Sequence, residues 1–199
     1  TGEVLWINDD SGSMEMDKPH PGARAKRGVS CHGYLTVSGN NLIVPTGRGV
    51  PAAFNRETGE FKYFHHQKHR AYGGSRIITF EGYLFTDSGN DRQTTTAAGT
   101  AKGVFYAADG ELATDDPIPT TAVASLPGYI VYADQDAVYA LSLNNMLNER
   151  QIQDRQGNTI TQKHLNPPSW SVGTPADPGG ISLITAGNSV ISGTTNNKV

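Results

Sequence analysis

Along this chain apolar and polar residues alternate in runs of four to six, and small turn residues interrupt each run. One piece recurs: an alternating run, a glycine-containing turn, then a second apolar run. It reads Tyr34–Val37, Ser38-Gly39-Asn40, Asn41–Val44, and again Ile77–Phe80, Glu81-Gly82, Tyr83–Thr86. Further copies are Ala122–Leu126, Pro127-Gly128, Tyr129–Tyr132 and Ile181–Thr185, Ala186-Gly187-Asn188, Ser189–Ile191. A period of two marks half-buried strands, and the glycine supplies the backbone freedom that a tight turn needs. The turn glycines Gly39, Gly82, Gly128 and Gly187 stand 43, 46 and 59 residues apart.

A repeat of that length filled with short strands predicts an all-β protein built as propeller blades of four antiparallel strands. The first blade takes residues 34–64, with strands at 34–37, 41–45, 51–55 and 60–64. The second takes 76–112, with strands at 76–80, 83–87 and 103–108 and a short outer strand at Glu111-Leu112. The third takes 121–172, with strands at 121–125, 129–133 and 137–142. Its outer strand, Ser169–Val172, is displaced by a polar, amide-rich insertion over 144–168 that carries one helical turn at Met146–Arg150. Residues 181–199 give half a blade, and residues 1–6 the end of a preceding one. The expectation is a partial propeller over 1–199, about three and a half blades of a six- to eight-bladed ring.

The stretch Ala53-Phe54-Asn55-Arg56-Glu57-Thr58-Gly59-Glu60-Phe61-Lys62-Tyr63 is a hairpin signature, and the opening Thr1-Gly2-Glu3-Val4-Leu5-Trp6 repeats its second half. It resembles the tryptophan-docking motif, Ala-x-Asp-x-x-Thr-Gly-x-x-x-Trp, of the pyrroloquinoline-quinone (PQQ)-like β-propeller repeat. Ala53, Asn55, Thr58, Gly59 and Tyr63 fill its positions, as do Thr1, Gly2 and Trp6. Asn55 replaces the usual aspartate and Tyr63 the usual tryptophan, and both keep the physical role: Asn also bonds the turn amides, and Tyr is also a flat amphipathic ring. The resemblance implies that Trp6 and Tyr63 lie flat between neighbouring blades, and it points to a bacterial periplasm or cell envelope.

Composition narrows the partners. The net charge of −3, from 16 basic and 19 acidic residues, favours neither nucleic acid nor an anionic membrane surface. No apolar run approaches the ~18 residues of a membrane-spanning helix. The single cysteine, Cys31, excludes an intrachain disulfide, and Cys31-His32 lacks the second cysteine of a c-type haem site; it reads as a partly buried thiol.

Candidate chemistry lies on connecting loops. Arg48, between two glycines, can present a guanidinium fork to a carboxylate or phosphate, or pair with an acidic neighbour. In His65-His66-Gln67-Lys68-His69-Arg70 the spacing of His66 and His69 suits a shared metal, but Lys68 and Arg70 repel a cation, so a basic connector with no metal is expected. Asp134-Gln135-Asp136 and Asn8-Asp9-Asp10 offer hard oxygen donors without the spacing of an EF-hand, and such clusters also build turns. Arg48, His66, His69, Arg70, Asp134 and Asp136 form the expected ligand-binding set, with no catalytic residue assigned. No nucleophile elbow, phosphate-cradling loop or zinc-protease helix is present in the sequence.

Two functions remain open. One is a non-catalytic scaffold that binds a small molecule or protein on its channel face and needs no cofactor. The other, implied by the resemblance, is part of a PQQ- and calcium-dependent quinoprotein dehydrogenase oxidising alcohols or aldose sugars. That second function needs a tryptophan stacked on the quinone. Trp6 is committed to docking and Trp170 to the end of an outer strand, so the binding scaffold is the stronger expectation.

Overall fold

The computed structural model describes residues 2–10, 14–17, 24–46, 50–65, 77–87, 100–116, 118–119, 122–134, 136–154, 156–173 and 181–194. Among the described residues it is all-β, with antiparallel strand pairing, and a 3-10 turn spans Leu143–Asn145. The chain divides into two compact units, residues 1–98 with 102–113, and residues 99–101 with 114–199. Among the described residues no helix is long and apolar enough to cross a membrane.

A hairpin of β1 (Met14–Asp17) and β2 (Arg24–Arg27) precedes the sheets; the repeat pattern gave no sign of it. The first sheet is a meander of β3 (Thr36–Ser38), β4 (Asn41–Val44), β5 (Ala52–Asn55) and β6 (Phe61–Tyr63). Its first strand begins two residues later than the sequence pattern suggests, and Tyr34 is 88% exposed. The second sheet follows as β7 (Ile77–Phe80), β8 (Tyr83–Asp87), β9 (Thr100–Tyr106) and β10 (Leu112–Thr114). A two-residue strand, β11 (Ile118–Pro119), pairs with the start of β9.

Alternation gives the first sheet two apolar faces. Leu42, Val44, Ala52, Phe54 and Phe61 share one, where Phe54 and Phe61 meet edge to face at 5.7 Å. On the other, Thr36, Ile43, Ala53 and Tyr63 stand opposite one another across all four strands. Ile43, Ala53 and Tyr63 pack on Ile77, Leu84, Phe105 and Ala107 of the second sheet. The two sheets therefore stack face to face, with inner strand β3 beside inner strand β7.

An aromatic ring over a turn glycine makes each joint. The Trp6 ring lies so close over Gly59 that a Cβ there would stand 2.6 Å from Trp6 Cδ2, and its indole Nε1 donates to the Arg56 carbonyl at 2.9 Å. One repeat later the Tyr63 ring covers Gly110, where a Cβ would stand 2.6 Å from Cε2, and the Tyr63 hydroxyl donates to the Ala107 carbonyl at 3.0 Å. Asn55 does the work of the aspartate it replaces: Oδ1 accepts the amides of Glu57 at 2.9 Å and Thr58 at 3.1 Å. Each turn is also tied to its own sheet, since Arg56 N donates to Asn40 O and Ala107 N to Gly82 O.

In the second unit a third sheet is formed by β12 (Val123–Leu126), β13 (Tyr129–Ala133), β14 (Ala137–Ser142) and, after an insertion, β17 (Trp170–Gly173). Its turn repeats the tie, Leu143 N donating to Gly128 O. The displaced outer strand is where the sequence pattern puts it, but the insertion is not helical at 146–150. It is a hairpin of β15 (Leu147–Gln153) and β16 (Thr159–Leu165). Alternating Glu149, Gln151 and Gln153 against Lys163, Thr161 and Thr159 suits a solvated strand pair better than a helix. A two-stranded sheet of β18 (Ile181–Ala186) and β19 (Ser189–Thr194) packs Leu183 and Val190 against Val131, Val138 and Ala140 of the third sheet.

The joints make two expectations measurable. Gly59 and Gly110 have φ of +75° and +74°, so alanine at either meets both backbone strain and the ring above it. Each substitution is expected to lower the free energy of unfolding in urea by about 2–4 kcal/mol. Tyr63→Phe leaves the ring in place and loses one hydrogen bond, about 1 kcal/mol. Burial first, and then the Asp109 carboxylate, hold the Tyr63 phenol protonated far above its ordinary 10.0. The unfolded chain therefore ionises first, so stability intact below pH 10 is lost as pH rises above it. Urea titrations from pH 9 upward should show a shallower alkaline decline in Tyr63→Phe.

Candidate functional site

The turn between β13 and β14 carries Asp134 and Asp136, both exposed. Asp134 Oδ1 accepts the amides of Asp136 at 2.9 Å and Ala137 at 3.0 Å, which closes the turn. Partial desolvation opposes its charge, but those two amides, the Tyr139 hydroxyl and its own amide outweigh it and hold the carboxyl below its ordinary range. Directly across β13 and β14, Tyr132 and Tyr139 stack with ring centroids 5.2 Å apart and planes 20° off parallel. Burial raises the Tyr132 phenol; the hydrogen bond to Asp134 and then desolvation raise that of Tyr139. Both phenols stay neutral, so the turn presents hydrogen-bond acceptors and two flat rings, with no phenolate nucleophile.

Arg48, His66, His69 and Arg70 lie outside the described residues. The flanks of the Arg48 loop are described: Thr46 and Val50 are buried, and Thr46 Oγ1 donates to the Val50 carbonyl at 3.3 Å. The described part of the histidine run is already engaged. His65 stacks beside Tyr63 with centroids 5.6 Å apart and planes 5° off parallel, and its Nε2 lies 2.7 Å from the Asp109 carbonyl. A carbonyl only accepts, so Nε2 carries the proton. His65 is thus part of the second joint, a role the sequence pattern missed. The signal was the offset: Asn8, two residues after Trp6, likewise donates to the Gly59 carbonyl at 2.7 Å.

The same offset finds Asp116, two residues after Thr114. Asp116 Oδ2 accepts the Leu165 amide at 2.7 Å, and Oδ1 lies 3.2 Å from His164 Nδ1. Asp115 Oδ1 accepts from Gln162 Nε2 at 2.9 Å. These two carboxylates therefore fasten strand β16 of the inserted hairpin. Asn145, Asn148 and Asn166 lock its base, with Asn166 Nδ2 on the Asn145 carbonyl at 2.8 Å and Asn148 Nδ2 on Asn166 Oδ1 at 2.7 Å. Among the described residues no three His, Cys, Asp or Glu side chains come together as a metal site. Cys31, expected to be partly buried, is exposed, and its thiol donates to the Gly33 carbonyl.

No protein-family model matches the chain, and no curated protein matches it significantly in sequence. Among solved structures it is similar to the computationally designed Ika4 protein at 15% identity and a TM-score of 0.47, over 85% of this chain and 92% of that one. It is also similar to the computationally designed Ika8 protein, at 14% identity and a TM-score of 0.44, over 94% of this chain. The match covers 51% of Ika8, so the chain spans about half of that protein. BamB from Moraxella catarrhalis matches at 11% identity and a TM-score of 0.35, over 94% of this chain and 75% of that one.

Asp134→Ala tests the turn. A carboxyl held below its ordinary value stabilises the fold above that value and loses the effect as pH falls through its folded pKa. The variant is expected to be slightly less stable than the parent near pH 7, with the difference shrinking below pH 3.8, in thermal melts across that range.

Proposed function

We propose that the chain is a run of PQQ-like β-propeller blades that binds a small molecule or protein through the loops between second and third strands, without transforming it. The observation that carries this reading is the use made of the tryptophans. Trp6 is committed to the Gly59 joint. Trp170 pairs with Ala140 just as Tyr63 pairs with Ala53, so it too stands at the ring position of an outer strand. Both tryptophans thus stand at docking positions, and this reading assigns neither to stacking on the quinone that a quinoprotein would hold. The loops that remain carry Arg48, Asp134 and Asp136, a mixture suited to polar recognition.

By the resemblance, the chain works in the bacterial periplasm or envelope within a six- to eight-bladed ring; Arg48, His66, His69 and Arg70 are its anion-seeking candidates, and Asp134 and Asp136 its acidic ones. The test is made on the full-length protein. Arg48→Ala should weaken binding of an anionic partner, recovered by affinity capture and identified by mass spectrometry, at least tenfold with the melting temperature unchanged. Quinone absorbance that survives gel filtration after addition of PQQ and calcium, with reduction of an artificial electron acceptor on addition of alcohols or aldoses, would overturn the reading in favour of a dehydrogenase.

A further inference from the structure

One face of the third sheet departs from the plan of the first. Ile43 opposite Ala53 in the first sheet corresponds in register to Val131 opposite Ala140 in the third, so Val44 and Ala52 correspond to Tyr132 and Tyr139. On the outer strands Phe64 follows Tyr63 as Ser171 follows Trp170. In the first sheet the two central residues are aliphatic and small, and Phe64 packs against the buried cluster of Val44, Ala52 and Phe54. In the third sheet the order is reversed. Two tyrosines stand at the centre, and the edge position is an exposed serine.

The two rings form a stack that is closed at one end and open at the other. Their centroids lie 5.2 Å apart with planes 20° off parallel, near the about 4.8 Å between neighbouring strands, so the stack runs across the sheet. Val123 stands opposite Tyr132 at one end. At the other end the next layer falls over Ser171, directly opposite Tyr139, and a serine side chain is too short to reach the level of a ring. Charge beside that open face has one sign. Asp134 holds the Tyr139 hydroxyl by a hydrogen bond, and the carboxylates of Asp134 and Asp136 both act on the phenol through their charge. Among the described residues neither carboxylate pairs with a basic side chain, and that of Asp136 has no hydrogen-bond partner.

We infer that the outer face of Tyr139, together with the Asp136 carboxylate, is a subsite for a guanidinium group. A guanidinium is flat and cationic, so it adds as a third layer to the Tyr132–Tyr139 stack, and the π-face attracts its charge. Its edge N–H groups donate to Asp136, because the planar fork matches a carboxylate. An ammonium carries the same charge but gains no stacked area. The hydrogen bond from Tyr139 to Asp134 sets the ring before the ligand arrives, which lowers the cost of binding. A free guanidinium compound and the arginine side chain of a polypeptide share this chemistry. The inference rests on the reading that the turn between second and third strands binds a ligand, and it names the group that this turn takes.

The test titrates the 199-residue protein with methylguanidinium and with an acetylated, amidated Gly-Arg-Gly tripeptide, followed by calorimetry and by tyrosine ring-proton shifts. Saturable millimolar binding is expected, with the largest shifts at Tyr139. Tighter binding of the tripeptide would assign the subsite to an arginine of a polypeptide, and equal binding to a free guanidinium compound. The same tripeptide with citrulline, flat but uncharged, or with lysine, charged but not flat, should bind at least fivefold more weakly. Ser171→Tyr, at an exposed edge position, fills the third layer and should abolish binding, and Asp136→Asn should weaken it at least fivefold, both with the melting temperature unchanged. No saturation at tens of millimolar probe, equal binding of the citrulline peptide, or binding undiminished in Ser171→Tyr would overturn the inference. Capture of an anionic partner through Arg48 is a separate readout, so either reading can fail while the other stands.

Discussion

A flat ring can lie against a backbone only where the backbone has no side chain, and the stacking of this protein's first unit depends on meeting that requirement at two turns. Gly59 and Gly110 satisfy it twice over: their positive φ closes the turn, and their missing Cβ leaves room for Trp6 and Tyr63. The ring's polar edge is then placed to donate to a carbonyl inside the same turn. Each joint thus combines apolar burial with a satisfied donor, the condition under which an aromatic with a polar tip is at home in an interface. Because the turn is also tied to the first-to-second-strand turn of its own sheet, ring position and sheet twist are fixed together.

The corresponding positions of the second unit carry different residues. By position, Thr114 stands where Tyr63 stands and Met146 where Gly59 and Gly110 stand, and both are buried, at 3% and 1% exposure. The residue two positions after the ring changes in parallel. Asn8 and His65 donate to carbonyls of the glycine turns, whereas Asp116 accepts from the amide of Leu165 and faces His164. With no glycine turn to hold, that position holds the inserted hairpin.

Strand content, repeat and joints were legible in the sequence because each rests on local rules: alternation of two, turn glycines, and a ring at fixed distance from a glycine. The inserted hairpin was not. Its residues are rich in amides and hydroxyls that suit several backbones, and what selects strands is a set of partners distant in sequence, Asp115 and Asp116. The role of His65 was missed for the converse reason, since it was read with the run 65–70 as a basic connector while its ring was committed to Tyr63. Among the site residues, the turn-building side of Asp134 followed from residue type alone. Its coupling to Tyr139 and the Tyr132 stack did not, because cross-strand neighbours depend on register.

Topology separates the acidic turn from the turn that anchors the insertion. In a meander successive turns fall at opposite ends of the sheet, so the Asp134–Asp136 turn and the Leu143–Met146 turn are divided by the length of β14, roughly 20 Å. Substitutions in the first turn need not disturb the second, where the insertion is anchored, and such turns tolerate change readily. Asp134 adds a further division of labour within its turn. One of its oxygens is occupied by amides, so it sets the backbone, while Asp136 stands exposed on the backbone so fixed. In the binding role proposed for this turn, a ligand meets an acidic group whose position is set before binding, so that ordering the loop costs little at the moment of recognition.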